Sequence, residues 1–500
     1  MDTDNKTSIS RFLNRTMGIS SIVLVFIFLA STSGQNNNYP FDSNRQEDCC
    51  EDYCYVTDEE PYTFFGTKTV YDSLPNRHSS SQHIVRECSP VQFWSIIRHG
   101  TKYPSIEKLR KLRNLNKLHE EMLRNYLERK SYPDRGRLCT NDFDLIRNWR
   151  FNDSITDNYA NGLTSQGAED MKLLARRYKT QYSEVLQNYD ERSYYFQYST
   201  DDRSHDSFQA YIEGLFGSDY YRVHANTVNS DNLTKPEENC PNWSEGENNN
   251  PAMKSEVERF KENPEYLKMV RDVFQRLGFR YLLNASNIED IYDACAYEKA
   301  WNIQRRSPWC IAFNKDQLKL LEYAEDLEYY YKAGYGNQNS KRIGCAPVKD
   351  LYERFEKTVN GNPDGNKGTF LFSRATTFQT VLVSLGIAKD FTPPTADNYY
   401  QQSRRNWRVS MLDPFAANLA AVLYECRGNE KYKVMFFLNE KPVEFPECSV
   451  GLCSWTTVQQ KYQEIVRNCN IDYFCKGNTA PKTYVSYITL VLTTFLFYVI

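Results

Sequence analysis

Val91 to Ile97 is a run of β-branched and aromatic residues that breaks off abruptly at Arg98-His99-Gly100. Such a run reads as a buried strand that delivers a loop at its end. Directly after it, Ile106, Leu109, Leu112, Leu115, Leu118 and Met122 recur at helical spacing on a charged background, so Ser105 to Lys130 reads as an amphipathic helix. Leu163 to Tyr182 is a second helix, opened by Thr164 as N-cap, and Ser193 to Thr200 is a strand that again ends in a charged loop. The pattern is strand, two helices, strand.

The next hundred residues break that pattern. Residues 225–340 are Asn- and Glu-rich loops followed by helices, Pro264 to Leu277 and Lys315 to Ala333 among them. Strand-like runs then return at Gly368 to Ser373 and Tyr432 to Leu438, with helices expected at Thr376 to Leu385 and Pro414 to Tyr424. Strands alternating with helices on both sides of a helical stretch predict an α/β core with an inserted, mostly helical domain. The expected layout is a core of residues 89–224 and 341–475, with a helical excursion over about 105–155 and the insert at 225–340.

Both ends of the chain look like addresses. Lys6, Arg11 and Arg15 precede an apolar run from Ile19 to Ala30 and the small residues to Gly34, so residues 1–34 read as a signal peptide, with an uncleaved signal anchor as the alternative. Residues 35–88 form a Cys-containing N-terminal segment. Residues 476–500 pair small residues around Gly477 and Asn478 with an apolar tail from about Tyr487 to Ile500, which reads as a GPI-anchor signal and alternatively as a transmembrane tail. Either way the body faces away from the cytosol, in the secretory pathway, at the cell surface, in the endoplasmic reticulum lumen or secreted. None of the 14 cysteines falls in either signal, and an even count in an exported chain predicts disulfides. The trio Cys49, Cys50 and Cys54 lacks a fourth ligand for a metal. Sequons stand at Asn152, Asn232, Asn242 and Asn284. With 61 Lys+Arg against 64 Asp+Glu, the net charge of −3 excludes a general nucleic-acid binder. The strongly negative mean hydropathy excludes a multi-pass membrane protein.

Chemistry concentrates in Arg98-His99-Gly100-Thr101-Lys102-Tyr103-Pro104. A histidine at the C-terminal end of a strand stands where α/β sheets place their ligands. Cations at Arg98 and Lys102 depress an imidazole's pKa, keeping it neutral and nucleophilic, and would neutralise a phosphoryl group. Gly100 allows close backbone approach, and the helix start that follows favours an anion.

This heptapeptide resembles the Arg-His-Gly-x-Arg-x-Pro signature of the histidine acid phosphatases. Leu163-Thr164-Ser165-Gln166-Gly167 is similar to the family's Leu-Thr-x-x-Gly helix start, and Ser199 to Arg203 to the loop that supplies a further phosphate-binding arginine. Asp413 to Leu419, Val422 to Tyr424 and Phe437 to Glu440 resemble the multiple inositol polyphosphate phosphatases in particular. The resemblance runs in patches from about residue 90 to 475. It implies a phosphoglycerate-mutase-like three-layer α/β core and an inositol polyphosphate substrate. It further implies a phosphohistidine at His99, a phosphate clamp of Arg98, Lys102 and Arg203, hydrolysis by water, and neither metal nor cofactor.

The sequence also departs from the family pattern. The family closes its site with a His-Ala-Glu or His-Asp pair after a late strand, whereas this chain reads Ser373-Arg374-Ala375-Thr376-Thr377. Aligned through Ala375, Arg374 takes the histidine's place as a further phosphate ligand and Thr376 the acid's. All six histidines precede residue 225, so no shift of register restores the missing one. Lys102 replaces a bidentate arginine with a point charge. Thr376 is no general acid near neutral pH, and losing one costs on the order of 10²–10⁴ in rate. Asp364 and Asp413 are the nearby carboxylates that could stand in. The expectation is therefore a phosphomonoesterase with weakened turnover, the alternative a pseudophosphatase that binds phosphorylated ligands or proteins without hydrolysing them.

Overall fold

The computed structural model describes residues 54–55, 61–75, 85–128, 137–226, 231–238, 240–243, 251–280, 284–362 and 365–475. The expected signal peptide, the expected anchor signal with Gly477 and Asn478, Cys49, Cys50 and Asp364 lie outside them.

The strand expected at Val91 to Ile97 is the middle of β1, Cys88–Arg98. Its side chains alternate between two apolar layers, as a period of two requires. Phe93 and Ile97 enter one, Trp94 and Ile96 the other, all fully buried or nearly so. Beyond β1, the sheet comprises β2 (Tyr194–Tyr198), β3 (Gly368–Ser373), β4 (Asn418–Cys426), β5 (Tyr432–Leu438), β6 (Lys441–Pro442) and β7 (Leu452–Ser454). Their order is β2-β3-β1-β4-β5-β6, with β7 also on β5. β2, β3 and β1 run parallel, and β4 and β5 continue antiparallel. The parallel trio therefore ends on one side of the sheet, where the segments that follow the three strands carry His99, Arg203 and Arg374.

Helices cover both faces. Ser165–Gln181 and Asp202–Phe216 pack on the face of Phe93 and Phe370. Cys345–Val359, Ala375–Leu385 and Trp455–Asn468 pack on the face of Trp94 and Leu371. This is the three-layer α/β core that the motifs imply. A further apolar cluster contains no strand. It joins Ile106–Leu127 and Thr140–Arg147 to Pro264–Arg276, Ala285–Trp301 and Lys315–Lys332.

One expectation fails. Pro414 to Tyr424 is not a helix: Ala416 takes a positive φ of 59°, and β4 starts two residues later as the antiparallel neighbour of β1. Leu419 to Tyr424 are all buried, the two faces of the strand meeting different helical layers. An apolar run without a polar face carries no periodicity that separates a helix from a doubly covered strand, and its two alanines favour the wrong one.

Six disulfides pair all twelve described cysteines: Cys54–Cys139, Cys88–Cys426, Cys240–Cys475, Cys295–Cys310, Cys345–Cys469 and Cys448–Cys453. Such a framework belongs to an oxidising, extracytoplasmic compartment. Cys88–Cys426 joins the facing ends of β1 and β4. Cys54, Cys139 and Asp142 bring metal-type ligand atoms together, but the two sulfurs are bonded to each other and Asp142 accepts from the backbone N–H of Tyr55 at 2.8 Å. Among the described residues no helix is long and apolar enough to cross a membrane.

Candidate active site

β1 ends at Arg98, and the backbone fixes His99 on both sides. Its N–H donates to the carbonyl of Ser373 at the end of β3 (3.2 Å), and its carbonyl accepts from Ala416 (3.0 Å). The Nδ1 of His99 lies 2.9 Å from the carbonyl oxygen of Gly100. A carbonyl can only accept, so Nδ1 carries the hydrogen and Nε2 keeps its lone pair, as a nucleophile requires. Burial pushes the pKa of His99 well below its ordinary 6.5, and Arg98, Arg203 and Lys102 push it further.

Gly100 and Gly167 explain two motifs at once. A Cβ on Gly100 would fall 2.5 Å from the carbonyl oxygen of Gly167, and one on Gly167 would fall 2.2 Å from that of Thr101. Between them, the backbone N–H and the hydroxyl of Thr164 both donate to the Thr101 carbonyl at 2.9 Å, while Thr164 Oγ1 caps the helix at Gly167. The Leu-Thr-x-x-Gly helix start therefore clamps the histidine loop directly. The N–H of Gly100 adds a bond to Ser207 Oγ at 3.1 Å.

Three of the four expected phosphate ligands, Arg98, Lys102 and Arg203, act electrostatically on His99, and Arg374 meets Arg203 at Asp201. Arg98 is buried: its Nη1 donates to the carbonyls of Thr67 (2.8 Å) and Asp413 (2.6 Å), and its guanidinium stacks on Phe415 at 5.1 Å. Lys102 is half-buried, and desolvation with Arg203, Arg98 and Lys68 lowers its ammonium to about 7. Arg203 and Arg374 share one carboxylate. Asp201 Oδ2 accepts from Arg374 Nε at 2.8 Å and Asp201 Oδ1 lies 3.3 Å from Arg203 Nε. Burial opposes the charge on Asp201, but Arg203, the Ser199 hydroxyl and Arg374 outweigh it and hold the carboxyl below its usual range. Arg374 also pairs with Glu238.

Thr376 is half-exposed at the start of Ala375–Leu385. Asp413, one of the expected substitutes for its missing acid, is fully buried beneath Arg98, its Oδ1 3.6 Å from Arg98 Nε and its Oδ2 accepting from Gln379 at 2.7 Å. Burial raises its carboxyl to about 7, but it supports Arg98 rather than facing a substrate. The sequons differ in setting. Asn152 and Asn284 are exposed, while the side-chain amides of Asn232 and Asn242 donate to Asp472 and the Phe474 carbonyl.

Two contributions escaped sequence reasoning. The turn Gly66–Lys68, in the segment given no chemistry, supplies the Thr67 carbonyl that holds Arg98. Burial disfavours the charge on its neighbour Lys68, but Glu325 at 2.8 Å and Asp293 at 3.5 Å outweigh it and keep the ammonium well above its ordinary pKa. The second is the loop of Glu237 and Glu238, which reaches Arg374 and Thr377 across about 140 residues of sequence. A Gly-Thr-Lys triplet and two glutamates carry no local signal for either role.

The comparisons agree with this geometry. The family model of the histidine phosphatase superfamily (branch 2) matches residues 92–439. Multiple inositol polyphosphate phosphatase 1 of Drosophila melanogaster is 35% identical over 436 residues, covering 86% of this chain and 92% of its own. Its human namesake is 28% identical, covering 84% and 90%. Among solved structures, the phytase from D. castellii superposes with a TM-score of 0.67 at 20% identity, covering 86% of this chain and 91% of that one. The Bifidobacterium longum multiple inositol polyphosphate phosphatase in complex with inositol hexasulfate gives 0.60 at 16%, covering 79% and 97%. With the histidine loop, its clamping helix and the three-layer sheet in place, the chain belongs to branch 2 of the histidine phosphatase superfamily, as a relative of the multiple inositol polyphosphate phosphatases.

Proposed function

We propose that the protein is an extracytoplasmic phosphomonoesterase that takes phosphate from inositol polyphosphates through a phosphohistidine at His99. The observation that carries this reading is the fixed tautomer of His99, with Nδ1–H on the Gly100 carbonyl and Nε2 open among Arg98, Lys102 and Arg203. Nε2 attacks phosphorus, the P–O bond to the inositol carbon's oxygen breaks, and the cations neutralise the equatorial oxygens. Water then attacks the phosphohistidine, phosphate leaves and Nε2 regains its lone pair. The name carried by the Drosophila, chicken and human relatives supports the substrate class. A membrane anchor added near Gly477 or Asn478 would keep this activity at the cell surface; release by a phosphatidylinositol-specific phospholipase tests it.

A second reading has its own observation. Arg374 is held by Asp201 and Glu238, and Thr376 brings no acid to the leaving group, a combination that suits a pseudophosphatase which binds phosphorylated ligands or proteins without turnover. Free phosphate released from inositol hexakisphosphate, beside a His99→Ala control, separates the two. Release above the control supports the phosphatase. Release equal to the control, with binding retained in calorimetry, leaves the pseudophosphatase.

A further inference from the structure

We infer that Glu237, carried on the loop between Asp231 and Cys240, is the proton donor to the leaving oxygen in place of the acid that Thr376 cannot supply. This rests on the phosphatase reading above. Two consecutive glutamates straddle Thr376. Glu238 reaches Arg374, two residues before it, and Glu237 accepts from the hydroxyl of Thr377, the residue after it, at 2.9 and 2.8 Å. A helix start that has lost its own carboxyl group is thus met by carboxyl groups from another part of the chain.

The loop is built to stay there. Asp231 accepts from Gln197 of β2 at 2.7 Å and from the N–H groups of Leu233 and Thr234. Thr377 Oγ1 also approaches the Thr234 carbonyl at 3.1 Å, Lys235 reaches Thr200, and Cys240–Cys475 fixes the far end. The loop is therefore tied to the end of β2, to the start of the helix after β3 and to the C-terminal segment.

The two glutamates are chemically different. Glu238 is exposed and pairs with both Arg374 and Lys235, at 3.1 Å from the latter. Glu237 is half-buried, and its side chain accepts from a neutral hydroxyl. Desolvation raises its carboxyl to about 7, against weaker opposition from its own backbone N–H, Thr377 and Arg374, with Asp231 adding to the rise. A carboxyl group of that kind carries a proton in mildly acidic conditions, as a general acid must. As the P–O bond breaks, the Glu237 proton goes to the departing alkoxide. The resulting carboxylate takes a proton from the water that attacks the phosphohistidine, which restores the acid.

The test compares leaving groups in the full-length protein. Inositol hexakisphosphate expels a poor alkoxide that needs a proton, whereas 4-nitrophenyl phosphate expels a stable phenolate that does not. Glu237→Gln should lower kcat on inositol hexakisphosphate by about 100-fold and on 4-nitrophenyl phosphate by less than about three-fold. Adding Thr376→Glu to Glu237→Gln should recover much of the inositol hexakisphosphate rate, since it returns a carboxyl group to the helix. Equal loss on both substrates, or no loss on either, overturns the role of Glu237. Wild type without His99-dependent release from either substrate overturns the phosphatase reading itself, and this inference with it.

Discussion

Arg374 Nε lies 2.8 Å from Asp201 Oδ2, and the other oxygen of that carboxylate lies 3.3 Å from Arg203. One anion therefore holds two of the guanidinium groups expected to bind phosphate, so a phosphate ester must compete with Asp201 for both. Asp201→Asn keeps the helix cap on Ser204, because an amide oxygen also accepts, but removes the competing charge. Inorganic phosphate should then inhibit about ten-fold more tightly than in wild type. An unchanged inhibition constant would mean that Arg203 and Arg374 do not meet the phosphate.

Lys102 sets an alkaline limit. Its ammonium, brought down to about 7 by burial and neighbouring cations, is charged below that pH and neutral above it. His99 does not impose an acidic limit near its ordinary 6.5, since its pKa is displaced well below that value and the neutral form persists. The kcat/KM for 4-nitrophenyl phosphate, which reports the free enzyme, should fall as pH rises through about 7 in wild type. Lys102→Arg should extend the plateau upward, because a guanidinium stays charged. Coincident profiles would remove Lys102 from phosphate binding.

Gly100→Ala forces a methyl group to 2.5 Å from the Gly167 carbonyl oxygen, where all three nearest atoms are Gly167 backbone. Relief requires moving either the helix start or the histidine loop. Thermal unfolding should report a loss of about 1–3 kcal/mol, with phosphatase activity lost beyond what the unfolded fraction explains. Wild-type activity in Gly100→Ala would show that the clamp does not position His99.

The sequence carried the local parts of this molecule well, and the reason is physical. β1, β3 and β5 are short β-branched or aromatic runs, and Thr164 announces its helix by capping it. His99, Arg98 and Lys102 lie within five residues, so their mutual electrostatics could be read directly. β4 was misread because burial on both faces erases periodicity. The Gly66–Lys68 turn and the Glu237 loop reach the site from 31 residues before Arg98 and about 140 before Thr377, and such contacts exist only once the sheet has assembled. Asp413 was placed near the site but not beneath Arg98, since only the structure shows that its carboxyl group faces inward.

His99 is the phosphate acceptor in the proposed reaction, and trapping the phosphoenzyme tests that role most directly. Protein mixed with radiolabelled phosphate ester is quenched in alkali within a turnover, and protein-bound label is measured along with its acid lability. Wild type should carry label that survives alkali and is lost in mild acid, as a phosphohistidine does, and His99→Ala should carry none. Equal labelling of the two proteins, or label with the acid stability of a phosphoserine, would contradict the account.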